Sequence, residues 1–189
     1  MARLYLIRHG KPASTWWAGD GDPGLDGQGV DQANAVRDWL LALPQGERPL
    51  RVVSSPLRRC RETAEPTAAA LGVVVEIDPA VGEIPTPSGL ADAKRQAWLR
   101  KAFAGTWDTI EGDLDYGAWR GIVAGALKSR GDTAVFSHYV AINAVVSLLR
   151  NDERVQGVRP DHASVTVLDT DGETLSLITL GREAASGVL

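Results

Sequence analysis

A chain of 189 residues with 44% hydrophobic and 23% charged residues has the apolar material for one domain with a real core, and it carries no repeat period or low-complexity tract. A formal charge of −4 and a pI near 5.4 exclude a general attraction for polyanions, so nucleic acid and acidic membrane surfaces are not expected partners and any anion site is local. The single cysteine, Cys60, excludes an intrachain disulfide and a thiolate metal cluster.

Along the chain, short β-branched runs alternate with helical ones. The first strand is expected at "RLYLIR", which runs out onto Arg8, His9 and Gly10. A helix follows in "VDQANAVRDWLLAL", where Ala33, Val36, Leu40 and Leu43 share one face. Next come a strand at "LRVVSS", a helix over "LRRCRETAEPTAAALG" stopped by Gly72, and a strand at "VVVEI". Residues 84 to about 130 read as helical but glycine-punctuated, with Trp98, Trp107 and Trp119, and are expected to form a small cap inserted over the active edge of the sheet. The strand "TAVFSH" then leads into "YVAINAVVSLLR", apolar on most sides and so expected to be buried, and too short to span a bilayer. "SVTVLDT" and "TLSLITL" read as a hairpin turning at Asp171-Gly172. The pattern predicts an α/β three-layer sandwich over residues 1–189: one domain, with a mainly parallel sheet, an antiparallel edge and helices on both faces.

Three strands share one ending, a small-residue or proline turn that carries a cation or an imidazole: "YLIRHG", "VVSSPLRRCRETA" and "AVFSHYVA". Ligands of open α/β sheets bind beyond the carboxyl ends of the strands, so Arg8, His9, Arg59 and His138 are expected to converge there. Two guanidiniums and two imidazoles around one point repel each other unless an anion sits among them, and phosphate oxygens complement them through charge-assisted hydrogen bonds. Helices starting near Pro56 and Tyr139 add unpaired N–H groups at their positive ends.

At this point "LIRHGKP", "LDGQGVDQA", "SSPLRRCRETA", "GEIP" and "VFSH", in that order, resemble the motifs of the histidine phosphatase superfamily, the phosphoglycerate-mutase-like proteins. The likeness runs from Leu4 to about Val146, and "ASVTVLD" fits further on. It implies His9 as the nucleophile that becomes phosphorylated. It also implies Arg8 and Arg59 as phosphoryl-oxygen ligands, His138 as a further hydrogen-bond partner, Glu83 as proton donor, and neither cofactor nor metal. The pattern serine-proline-leucine-x-arginine selects Arg59, with Arg58 in reserve and Arg61 flanking. Tyr139 stands where the resembling proteins usually have glycine, which predicts either a reshaped pocket wall or a phenol facing substrate. No aspartate follows His138, which argues against the acid-phosphatase branch.

An imidazole attacks phosphorus through a neutral nitrogen, so His9 needs an acceptor for its other N–H. Asp22 is the substitute should Glu83 point away, while Asp20 and Asp22 are otherwise turn formers. His162 reads as a rim or structural histidine and Cys60 as a small buried thiol; Trp16 and Trp17 follow the nucleophile loop closely enough to be considered as substrate contacts. With no leader or spanning segment the expected location is cytoplasmic, and the expected partner is a phosphorylated small molecule. The expected activity is hydrolysis of phosphate monoesters. Phosphoglycerate mutase chemistry, a non-catalytic phosphate-binding regulatory module and a protein phosphohistidine phosphatase stand as alternatives, and the oligomeric state is not readable.

Overall fold

In the computed structural model residues 1–14 and 21–185 are described. The strands are β1 (Ala2–Arg8), β2 (Arg51–Ser54), β3 (Val75–Ile77), β4 (Thr133–Ser137), β5 (Val165–Thr170) and β6 (Leu175–Thr179). The helices are α1 (Gly27–Ala42), α2 (Arg58–Leu71), α3 (Asp92–Phe103), α4 (Tyr116–Lys128) and α5 (Tyr139–Arg150).

Alternation along β1 decides which helices cover which face, because successive side chains of a strand point to opposite sides. Leu4 and Leu6 pack with Val53, Val135 and Leu168 against Val123 and Leu127 of α4 and Ile142 and Val145 of α5. Tyr5 and Ile7 pack with Val52, Phe136 and Val167 against Val36 and Leu40 of α1 and Cys60, Ala64 and Ala68 of α2. The result is a three-layer α/β sandwich, as the sequence pattern predicts. Strand order is β3-β2-β4-β1-β5-β6. The first four are parallel, β5 runs antiparallel to β1, and β6 antiparallel to β5. The β5–β6 turn uses Gly172 at φ 96°, a left-handed conformation that glycine adopts without steric cost, and Asp171 accepts from the N–H groups of Glu173 and Thr174.

Register brings the ends of three strands together. Arg8 of β1 lies opposite Ser137 of β4, so His9 and His138 emerge side by side, and the His9 N–H donates to Ser137 O at 3.0 Å. Ser54 of β2 pairs with Phe136, and the Ser55 N–H donates to Phe136 O at 3.0 Å, which delivers the turn into α2 beside both histidines.

Helix α1 begins three residues earlier than its apolar periodicity predicts, because the Asp26 carboxylate caps it by accepting from the Gly29 N–H at 2.7 Å. The stretch expected as one cap over 84–130 divides in two. Trp98 and Leu99 of α3, with Trp107, join Ile84, Tyr116, Tyr139 and Val140 in a third apolar cluster above the start of α5. Helix α4 instead buries Val123 and Leu127 in the main core and belongs to the layer against the sheet. Tyr116 at the start of α4 lies in the upper cluster while Val123 and Leu127 further along lie in the main core, so α4 joins the two. Among the described residues no helix is long and apolar enough to cross a membrane.

Candidate active site

His9 is the first residue beyond β1. Its Nδ1–H donates to the Gly10 carbonyl at 2.8 Å, which supplies the required acceptor and leaves Nε2 with the lone pair. Arg59 Nε–H donates to that Nε2 at 3.2 Å. Burial, then the charges of His138, Arg59 and Arg8, push the His9 pKa well below its ordinary value, so the ring is neutral. The loop is pressed onto α1 where no side chain fits: a Cβ on Gly10 would meet Gly29 O at 2.7 Å, and one on Gly29 would meet Lys11 O at 2.2 Å. From the other side, the Ala163 N–H donates to His9 O at 3.2 Å, and Ala163 holds a left-handed φ of 55° that an alanine adopts only under constraint.

Arg59 is the second residue of α2 and its guanidinium bridges the two imidazoles, since Nη2–H donates to His138 Nδ1 at 3.2 Å. With Nδ1 accepting, His138 donates through Nε2–H to Ser55 Oγ at 2.7 Å. Burial, then Arg59 and Arg8, lower the His138 pKa well below the ordinary value. The reserve residue Arg58 turns outward onto Glu62 at 2.6 Å, and Arg61 is exposed, so the arginine at the centre is Arg59. Asp22 lies 4.0 Å from Arg59 Nη1 and accepts from the Arg58 N–H at 2.8 Å, capping α2 where Leu57 has no side chain to do so. At 40% exposure it is not the buried acid for which it was held as a substitute.

Glu83 stands on a strap tied to the sheet, because Ser137 Oγ–H donates to Val81 O at 2.8 Å and the Asp78 N–H donates to Ser54 O at 2.9 Å. Its Oε1 accepts from the Ile84 and Val140 N–H groups at 3.0 and 3.2 Å. Its Oε2 is buried without a hydrogen-bond partner, 3.9 Å from His138 Nδ1, on a side chain that is 3% exposed. Burial raises the Glu83 pKa against the opposing pull of the Ile84 N–H, Arg59, Arg8 and Arg95. Burial thus favours the neutral carboxyl of Glu83 more than solvent would.

Arg8 donates through Nη1–H to Pro160 O at 2.9 Å, while its Nε–H is buried without a partner. Burial lowers its pKa to about 10, so it stays charged at neutral pH. The fold thus brings Arg8, His9, Arg59, Glu83 and His138 to one point, at 5%, 2% and 2% exposure for the first three and 0% for His138. Trp16, Trp17 and Asp20 lie outside the described residues. The Cys60 thiol is buried 3.3 Å from His138 Nε2 and donates to Ser137 O, and burial raises its pKa, which makes it an inert packing group.

Some participants were not apparent in the sequence. Ser55 sits inside a recognised motif, yet nothing local shows that it holds His138. Thr63, five residues after Arg58 along α2, accepts from the Gly10 N–H at 3.0 Å. Arg95 on α3 acts on Glu83 and His138 through its charge. His162, expected as a structural or rim residue, packs its ring 5.8 Å from that of His9, and burial, then Arg8, lowers its pKa to about 4.

These shifts predict how stability depends on pH. The three imidazoles titrate below 6.5 when folded, so as pH falls through that value the unfolded chain binds more protons and folding weakens. Glu83 acts in the opposite sense, because its raised pKa lets the folded chain hold a proton that the unfolded chain releases as pH rises above 4.5. Three rings outweigh one carboxyl, and the carboxylates of Asp152 and Asp171, at about 2, titrate lower still. The urea midpoint is expected to be lower at about pH 5.5 than at about pH 7.5, with His162→Asn shrinking the difference. A midpoint that rises on acidification would show that the rings are not held neutral.

Comparison with known proteins shows the family and the fold. The profile described as histidine phosphatase superfamily (branch 1) matches residues 4–182. Among curated proteins, the transcription factor tau 55 kDa subunit of Saccharomyces cerevisiae is 32% identical over 106 residues, which are 46% of this chain and only 23% of that protein's length. Among solved structures, mycobacterial hydrolase 1 superposes with a TM-score of 0.72 at 25% identity, over 97% of this chain and 100% of that one. Mycobacterial glucosyl-3-phosphoglycerate phosphatase in complex with VO3 superposes with a TM-score of 0.68 at 25% identity, over 93% and 96%. With the profile spanning residues 4–182, almost the whole of the sandwich, the chain belongs to the histidine phosphatase superfamily, branch 1.

Proposed function

We propose that this protein hydrolyses small-molecule phosphate monoesters through a phosphohistidine formed at His9. The observation that carries the reading is one buried guanidinium, Arg59, held between two neutral imidazoles, with the Arg8 Nε–H beside it lacking an acceptor. Two buried cations, with Asp22 no nearer than 4.0 Å to Arg59 Nη1 and the Glu83 pKa raised by burial, suit a phosphoryl dianion better than a neutral ligand.

In the first step the His9 Nε2 lone pair forms a bond to phosphorus, the ester P–O bond breaks, and the Glu83 proton passes to the departing oxygen. Attack places positive charge on the ring, and the Gly10 carbonyl that accepts from Nδ1 stabilises it more strongly than it does the neutral ring, so this contact favours the transition state. Arg8 and Arg59 donate to the equatorial oxygens, and Arg59 exchanges its bond to Nε2 for one to a phosphoryl oxygen as the ester enters. In the second step the Glu83 carboxylate takes a proton from water, the water oxygen bonds to phosphorus, and the P–Nε2 bond breaks to release phosphate. A single carboxyl serves both steps. The lone, inert Cys60 suits a reducing compartment such as the cytoplasm.

Rapid acid and alkaline quenches after mixing with a labelled monoester test this reading. One phosphoryl group per chain, stable to alkali and lost in acid, is expected; a label stable to acid would move the nucleophile away from His9. Vanadate is expected to inhibit and EDTA to leave the rate unchanged. Phosphate release from a panel of phosphorylated metabolites, with 3-phosphoglycerate isomerisation followed in parallel, identifies the acceptor as water or a second hydroxyl.

A further inference from the structure

Tyr139 opens α5 directly after His138, and its phenol and ring face are both engaged within the protein. The phenol oxygen accepts from Gln156 Nε2–H at 2.5 Å. One side of the ring packs on Phe103, the last residue of α3, with centroids 5.7 Å apart at 65°. The Arg8 guanidinium carbon lies 5.0 Å from the ring centroid, over its face. Gln156 and Phe103 thus hold the ring, and the ring in turn carries Arg8.

We propose that Tyr139 is a positioning residue for Arg8: its ring face sets the plane of the guanidinium, so that the Nε–H left without a partner is aimed at the phosphoryl group on His9. The inference rests on the phosphatase reading above. A guanidinium tied at a single point, here Nη1 to Pro160 O, can still rotate about that bond. Contact with an aromatic face removes that freedom and stabilises the cation in a site where water cannot. Glu83, Asp161 and Arg59 are the other charged groups that act on Arg8, and none of them is hydrogen-bonded to its guanidinium. Alignment of the plane is therefore left to the ring.

The test is a double-mutant cycle read by vanadate inhibition, with KM and kcat measured alongside. Tyr139→Leu is expected to raise the inhibition constant about 3- to 30-fold, and Tyr139→Phe, which keeps the face, to restore it to within about 2-fold. In an Arg8→Ala background the same Tyr139→Leu change is expected to alter the constant less than about 2-fold, because the group it positions is gone. Equal effects in both backgrounds would make Tyr139 a packing residue and overturn the inference while leaving the phosphatase reading intact. A wild-type protein that neither responds to vanadate nor forms a phosphoenzyme would remove both. Should Tyr139→Leu fail to fold, Gln156→Leu, which releases the phenol without emptying the core, is expected to weaken vanadate binding in the Arg8 background only. The Arg8 Nε–H resonance, displaced upfield by the ring in the wild type, is expected to move downfield in the same variant; an unmoved resonance together with unchanged inhibition refutes the positioning role.

Discussion

His9→Ala is expected to fold like the wild type and to hydrolyse p-nitrophenyl phosphate at least about 10³-fold more slowly, a loss of about 4 kcal/mol of transition-state stabilisation. The expectation of an intact fold has a local basis. β1 is held by Leu4 and Leu6 on one face and Tyr5 and Ile7 on the other, and the backbone bonds of His9 to Ser137 and Ala163 do not use its ring. What the substitution removes is the lone pair that forms the bond to phosphorus. It also frees Arg59 from one of its two imidazole partners, so vanadate binding is expected to survive while turnover does not. Circular dichroism and the urea midpoint check the fold, and p-nitrophenol release checks the rate. Retained activity in a folded His9→Ala protein would falsify the assignment of the nucleophile.

Glu83→Gln separates leaving groups. The amide oxygen can keep accepting from the Ile84 and Val140 N–H groups, so the strap and the start of α5 are expected to stay in place. It has no acidic proton to give. An alkoxide leaves poorly without one, whereas p-nitrophenolate leaves readily, so first-turnover rates for alkyl phosphates are expected to fall about 10²- to 10⁴-fold and for p-nitrophenyl phosphate less than about 10-fold. The first turnover is the informative measurement because the same carboxyl is needed again to activate water, which slows the steady state for every ester. A burst of p-nitrophenol followed by slow turnover is therefore expected. Equal first-turnover losses for the two classes of ester would take the acid role away from Glu83.

The two experiments address different parts of one electrostatic arrangement. Burial holds His9 and His138 neutral and raises the Glu83 pKa; the enclosed Arg8 and Arg59 reinforce the first effect and oppose the second. In bulk water the same groups would titrate near their ordinary values and the division into nucleophile and acid would be lost. The fold creates the chemistry by excluding solvent as much as by bringing residues together.

How much of this was written in the chain can be judged residue by residue. Local signals placed the strands within a residue or two, the Gly72 stop of α2 and the β5–β6 turn, because period-two alternation and turn chemistry are properties of neighbouring residues. Ordered motifs singled out Arg8, His9, Arg59, Glu83 and His138. Capping of α1 by Asp26 was also legible but outweighed by the apolar periodicity that begins after it. The membership of α4 in the sheet layer, the grip of Ser55 on His138, the packing of His162 on His9 and the seat of Arg8 on Tyr139 were decided only by the tertiary structure. Each of these depends on the register between strands distant in sequence and on the rotational phase of a helix against them, and a contact between residues 8 and 139, or 55 and 138, leaves no trace in the residues adjacent to either.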